Sequence, residues 1–320
     1  MTKPIVAIMY DFDKTLCTRD MQEYTFIPSV GMKPNEFWGH TAEVAAAETM
    51  DSILTYMYCM VEKAHQTGNP LTRESLVACG KDIEYHPGVE GWFERINRYA
   101  EEAGVEVEHY VLSSGLKEII EGTTIAKYFK RIYACEFLYK DGQAYWPKMA
   151  VNYTNKTQFI FRIAKGFLDE NDERVNDSVR EKYIPYENLV YIGDSATDIP
   201  CMRLVKSKGG YSIGVFDPDK NIRKKVYQLY GDGRINLYAP ADYSENSDLS
   251  RLMMRIIDVI AAREAIKSEQ QILQSDTDAY HQYCSMSAMA ATLLPTLPAA
   301  NAQQLQATLD QLRSQVGGNV

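Results

Sequence analysis

The chain has 320 residues, 45% of them hydrophobic and 24% charged. This is ordinary globular usage and excludes a largely disordered polypeptide. The length suits one core of usual size plus an insertion or a second small domain. Lys and Arg number 34 against 43 Asp and Glu, a net charge of −9, and such a surface repels phosphate backbones, so no nucleic-acid partner is expected. The most apolar stretch, Met286 to Ala300, is too short for a bilayer and is interrupted by Pro295 and Pro298, so no membrane association is expected either. The N-terminus runs from Ile5 straight into charged residues without a signal-like region, and the six cysteines lack CxxC spacing. A cytoplasmic protein with reduced thiols is the expectation.

In chain order, Ile5 to Tyr10 is a branched apolar run that predicts a strand buried on both faces, as inside a parallel sheet. Glu43 to Ala64 has helical periodicity, Leu71-Thr72-Arg73-Glu74 opens a further short helix, and Gly88 to Ala103 is helical again before Gly104. Val105 to Leu112 predicts a strand closed by Ser113-Ser114-Gly115. Short helices follow at Leu116 to Glu121 and around Ile125, then a strand-turn-strand piece around Asp141-Gly142. Thr157 to Lys165 predicts a helix, Asn171 to Glu181 a polar connection, Leu189 to Ile192 a strand, Ile199 to Val205 a helix and Tyr211 to Phe216 a strand. Strands alternating with helices indicate a doubly wound, parallel α/β sheet. From Leu249 onward the chain reads as helical. Leu305, Leu309, Leu312 and Val316 form an apolar stripe that packs on the protein itself or serves a homodimer through the C-terminal helices.

The chemistry concentrates where strands end. Asp11 and Asp13, in Asp11-Phe12-Asp13-Lys14-Thr15-Leu16, follow the first predicted strand, and sites in open α/β sheets form at the carboxyl ends of strands. Two carboxylates so close repel unless a cation or a shared proton relieves them; an Asp-rich capping turn would have the same composition. Ser113 ends the second strand, with Ser114 as its competitor. Lys156 precedes a helix, with Lys148 as its competitor. Asp194 follows a third strand, with Asp198 four residues on. Two carboxylate pairs, a hydroxyl and a lysine at one sheet edge suggest a hard-cation site beside a phosphate pocket.

The ordered set DFDKTL, VLSSG, NKT and GDSATD resembles the haloacid dehalogenase (HAD) superfamily of aspartate-nucleophile phosphotransferases, over about residues 1 to 240. The resemblance implies a Rossmann-like core in residues 1–23 and 89–248, a helical C1-type cap in 24–88 and a helical extension in 249–320. It implies Asp11 as nucleophile and Asp13 as general acid and base. Mg²⁺ would sit on Asp11, the Asp13 carbonyl and Asp194, with Ser113 (or Ser114) and Lys156 on the phosphoryl oxygens and Asp198 and Thr15 behind them. The layout is similar to phosphoserine phosphatases, where Asp20 here stands in place of a Glu that contacts the substrate amino group. Asp20 is shorter by one methylene, which puts phosphoserine itself in doubt, and a solvated loop acid would read the same. The presence of Asp13 favours phosphoryl transfer over dehalogenation, because a leaving alkoxide needs a proton. The activity implied is a Mg²⁺-dependent phosphatase for a small phosphorylated metabolite. A phosphomutase or phosphotransferase, and a binding protein that kept the fold, are the alternatives.

Overall fold

A computed structural model describes residues 3–178, 182–220 and 222–316. It divides the chain into two units, Met1–Ile260 and Ala261–Val320. The first unit is built on a seven-stranded sheet in the order β4-β3-β2-β1-β5-β6-β7. The strands are β1 (Ile5–Tyr10), β2 (Glu106–Leu116), β3 (Phe129–Lys140), β4 (Gln143–Met149), β5 (Leu189–Gly193), β6 (Tyr211–Phe216) and β7 (Leu237–Pro240). Neighbouring strands run parallel except for the β3–β4 hairpin. That hairpin turns at Asp141 and Gly142, with φ of 51° and 77°, the left-handed pair that a two-residue Asp-Gly turn supplies at least cost.

β1 lies between β2 and β5, and Val6 through Tyr10 are fully buried, as its unbroken apolar run predicts. The chain extends from β1 to one side through β2, β3 and β4. It then returns to the other side of β1 with β5. This reversal of strand order opens a crevice at the carboxyl ends of β1 and β5.

The β1–β2 connection carries α1 (Phe26–Ser29), α2 (Pro34–Glu48), α3 (Ser52–Thr67), α4 (Arg73–Cys79) and α5 (Val89–Glu102). The single helix expected over Glu43 to Ala64 is two. Thr49 adopts φ 51° at the end of α2, and the Asp51 carboxylate accepts the Ile53 and Leu54 N–H groups at 2.9 and 3.1 Å, so an N-cap restarts the chain as α3. The connection leaves and rejoins the sheet at one place: Cys17 bridges Tyr85, the Thr18 N–H donates to the Glu84 carbonyl and the His86 N–H to that of Leu16, each at 3.0 Å. α5 is tied to the strands by a buried polar chain. The Trp92 Nε1–H donates to the Tyr10 hydroxyl at 2.8 Å, which lies 3.0 Å from His109 Nδ1, while His109 Nε2 lies 2.9 Å from Asn97 Oδ1.

The remaining helices of the first unit are α6 (Lys117–Glu121), α7 (Lys156–Lys165), α8 (Ile199–Ser207) and α9 (Lys224–Gly231), followed by the start of α10 (Asp248–Leu293). Of the expected polar connection Asn171 to Glu181, residues 179–181 lie outside the described residues. β7 and α9 escaped sequence reading, being only four and eight residues long. The second unit holds the end of α10 and α11 (Ala299–Gln315), separated by a turn containing Pro295 and Pro298. The expected stripe of Leu305, Leu309, Leu312 and Val316 is the less exposed side of α11, and residues 317–320 lie outside the described residues. No helix among the described residues is long and apolar enough to cross a membrane.

Candidate active site

Asp11 is the first residue beyond β1, and its N–H donates to the Ile192 carbonyl of β5 at 2.9 Å. The backbone then folds tightly, with Leu16 N–H on the Phe12 carbonyl at 2.9 Å and Lys14 at φ 58°. The turn is fixed from outside by the Tyr243 hydroxyl, which donates to the Thr15 carbonyl at 2.9 Å. Asp13, half-buried, accepts the Met21 N–H at 2.8 Å.

β2 runs three residues beyond its pairing with β3 at Leu112, through Ser113, Ser114 and Gly115, and pairs again at Leu116 with Cys135. The expectation that Ser113 closes the strand is therefore corrected: a register shift carries the two serines inside it. The Ser113 hydroxyl is buried and accepts the Gly115 N–H at 3.0 Å. The Ser114 hydroxyl is buried without a partner, while its carbonyl accepts the Tyr56 hydroxyl of α3 at 2.8 Å.

Lys156 opens α7 and is fully buried. Its ammonium lies 3.0 Å from Asp11 Oδ1 and 2.6 Å from Asp198 Oδ1. Lys148 sits elsewhere, exposed and paired with Glu136 at 2.7 Å. Asp198 closes over Gly193 so tightly that a Cβ there would lie 2.6 Å from the carboxylate carbon, which is why this strand end is glycine. Asp198 also accepts the Tyr191 hydroxyl at 2.7 Å, the Ser195 N–H at 2.9 Å and the Ser195 hydroxyl at 2.8 Å. Neither Tyr191 nor Ser195 was singled out from the sequence. The Ser195-Ala-Thr-Asp198 spacing is a capping-box signal and made Ser195 findable; Tyr191 is an ordinary strand aromatic with no such mark.

Asp194 lies opposite Thr15, whose hydroxyl is 3.4 Å from Asp194 Oδ1. Asp11, Asp194 and Asp198 each place an oxygen within 4.8 Å of the others. The donors from Lys156, Tyr191 and Ser195 occupy both oxygens of Asp198, so Asp11 and Asp194 are the pair with oxygen to spare. Such hard carboxylate donors fit Mg²⁺.

Burial, then repulsion from Asp198, pushes the Asp11 carboxyl up to about 8, against the pull of Lys156. Burial and Asp198 raise Asp194 to about 7. Asp13 is held well above the usual carboxylate range by burial, then by Asp20 and Asp11. Burial also pushes on Asp198, yet the Lys156 ammonium and the hydrogen bonds from Tyr191 and Ser195 hold it below its ordinary value. The outcome is one firmly ionised partner for Lys156 beside carboxyls that favour a proton or a cation.

Asp20 is brought near the site but spends one oxygen on an ion pair with Lys14. Gln22 Oε1, two residues beyond Asp20, is buried without a partner.

A model of the haloacid dehalogenase-like hydrolases matches residues 8–203. An uncharacterized protein of Borreliella burgdorferi is 26% identical over 278 residues, covering 79% of this chain and 96% of that protein. Among solved structures, a HAD-family hydrolase from Salmonella enterica serovar Typhi is 18% identical with a TM-score of 0.47, covering 68% of this chain and 65% of its own. A phosphoserine phosphatase captured as a phospho-aspartyl intermediate analogue is 17% identical with a TM-score of 0.48, covering 78% of this chain and 98% of that one. The family match runs from β1 into α8, through every strand or helix that contributes a carboxylate, the buried lysine or the serines to this crevice, and the chain belongs to the haloacid dehalogenase-like hydrolases.

Proposed function

We propose that this protein is a Mg²⁺-dependent phosphomonoester hydrolase that acts on a small phosphorylated metabolite in the cytoplasm through an aspartyl-phosphate intermediate. The observation that carries the reading is the buried Lys156 ammonium held between Asp11 and Asp198, beside an Asp13 whose carboxyl favours its proton.

In this reading an oxygen of Asp11 attacks phosphorus, and the bond from phosphorus to the leaving oxygen breaks. Asp13, protonated, gives its proton to that oxygen, so the product leaves as an alcohol. The resulting Asp13 carboxylate then takes a proton from water, whose oxygen attacks the phosphoryl group. Inorganic phosphate departs and the Asp11 carboxylate returns. Ser113 and Lys156 hold the phosphoryl oxygens, and Ser114 stands ready beside them. Asp198 fixes the Lys156 side chain, and Thr15 orients Asp194. Asp11, Asp194 and the Asp13 carbonyl would hold Mg²⁺, which when bound offsets the repulsion between carboxylate and phosphate. Asp20 keeps one oxygen for a substrate amine or hydroxyl. The helical segment 24–88 acts as a cap that excludes water and selects the substrate.

Two measurements test the reading. Asp11→Asn is expected to lower phosphate release from p-nitrophenyl phosphate by at least about 1000-fold, the scale of nucleophile loss. EDTA is expected to abolish release and added Mg²⁺ to restore it. Unchanged release in either case overturns the reading, and a panel of phosphorylated metabolites then identifies the substrate.

A further inference from the structure

Two residues without a role in the proposed hydrolysis, Met21 and Gly115, surround the carboxyl of Asp13. One of its oxygens is committed: Oδ1 accepts the Met21 N–H at 2.8 Å and lies 3.8 Å from the Cys17 thiol. The other, Oδ2, has no hydrogen bond among the described residues and faces Gly115, where an added Cβ would lie 2.9 Å from it. The same Cβ would lie 2.8 Å from the Met21 sulfur and overlap its methyl group. Gly115 does not adopt a left-handed φ, so this position needs glycine for space and not for backbone freedom.

Met21 is itself anchored. It opens the short turn Met21–Glu23, is fully buried, and its sulfur accepts the Leu116 N–H at the end of β2 at 3.1 Å. A thioether is a weak acceptor, so packing locates this side chain more than the hydrogen bond does, and an unbranched methionine fits the gap above a glycine. The Gly115 N–H donates to the Ser113 hydroxyl oxygen at 3.0 Å, which leaves the Ser113 proton available to a phosphoryl oxygen. Residues 113–116 thus hold the phosphoryl-binding serine at one end and, through Met21, the carboxyl of Asp13 at the other.

We propose that Met21 and Gly115 are positioning residues for Asp13. Met21 fixes Oδ1, and the bare face of Gly115 leaves Oδ2 the room to meet the leaving oxygen of the substrate. The proton passes from Oδ2 to that oxygen as its bond to phosphorus breaks, and the bonding pair stays on the oxygen. Met21 and Gly115 act through Asp13 and touch neither substrate nor metal. This rests on the hydrolase reading, to which it adds the residues that aim the acid.

Leaving-group dependence, measured on the full chain with Mg²⁺, tests it. Phenyl phosphate and p-nitrophenyl phosphate differ by one nitro group, which spreads the charge of the departing phenolate and reduces its need for a proton. Their kcat/KM values report the steps up to departure of the phenol and so exclude the later work of Asp13 as base. Gly115→Ala is expected to lower kcat/KM for phenyl phosphate at least about fivefold more than for p-nitrophenyl phosphate, since a displacement of about 1 Å can cost 100-fold. The atoms it crowds are the ends of side chains, so the variant is expected to fold, which cooperative thermal unfolding checks. Met21→Ala opens space and adds none, and it should move the ratio in the same direction. Asp13→Asn sets the scale and should move it furthest. Equal losses on the two esters in folded Gly115→Ala and Met21→Ala chains overturn the proposal and leave the hydrolase reading standing. A wild-type chain that releases phosphate from neither ester overturns both.

Discussion

His109 shows how far a single buried residue can be fixed by its neighbours. The Trp92 Nε1–H donates to the Tyr10 hydroxyl, so that hydroxyl spends its own proton on His109 Nδ1, and Nε2 donates to Asn97. Each position in this chain is filled only if the imidazole is neutral. Burial accordingly drives its pKa down to about 3. A depressed folded pKa gives stability that is complete above the unfolded value near 6.5 and is lost as pH falls through the folded one. By pH 5 the loss amounts to about 2 kcal/mol, from roughly 1.4 kcal/mol per pH unit below 6.5. Denaturant unfolding between pH 7 and pH 4 should show this slope in the wild type and a shallower one in His109→Gln. Equal slopes would mean that His109 stays uncharged in the unfolded chain or charges in the folded one. None of this could be read from the sequence, where His109 is one of five scattered histidines; its tautomer depends on residues 12 and 99 positions away. The same holds for Tyr191 on Asp198, whereas the carboxylates, Lys156 and Ser113 stood out because their order along the chain carries the pattern.

At the scale of elements, the helical insertion meets the core through close backbone approach as well as through side chains such as Tyr56 on the Ser114 carbonyl. α4 packs on α6, and Gly80 and Gly122 mark the approach. A Cβ on Gly122 would lie 1.8 Å from the Val77 carbonyl oxygen, and one on Gly80 would lie 2.4 Å from that of Ile119. Gly122→Ala must therefore push the two helices apart. The expected cost is about 1–3 kcal/mol in chemical denaturation, the range for overpacking, with the sheet's circular-dichroism signature retained. Loss below about 0.5 kcal/mol would show that the helices separate freely. Element identity was largely legible in advance, since β1, β5, β6 and α7 have strong periodic or apolar patterns. Element limits were less so. The break at Thr49 depends on one left-handed residue and a cap, and β2 runs on through Ser113 because β3 pairs with it again beyond the shift.

For the whole molecule, the residues assigned to catalysis fall between Asp11 and Asp198, inside the unit Met1–Ile260. That unit encloses a core that includes Ile256, Ile257 and Ile260. A chain ending at Ile260 is expected to keep kcat/KM for p-nitrophenyl phosphate within about threefold of the full chain, a change of under 1 kcal/mol. A loss beyond tenfold would assign the second unit a part in the site. Light scattering on the same pair tests the homodimer reading of the tail: a full chain that is dimeric and a truncated one that is monomeric would support it, and equal masses would refute it.

The single bridge between Cys17 and Tyr85 has a consequence for how this protein can change. The segment between them begins and ends at adjacent points, so the pairing of β1 with β2 places no demand on its length or composition. Loop-closure entropy grows only slowly with length, so exchange of that cassette for a longer or shorter one is cheap for the sheet. Under the proposed cap role, exchanging this one contiguous stretch would change selectivity while the strand ends that hold Asp11 and Asp194, and the start of α7 that holds Lys156, stay as they are.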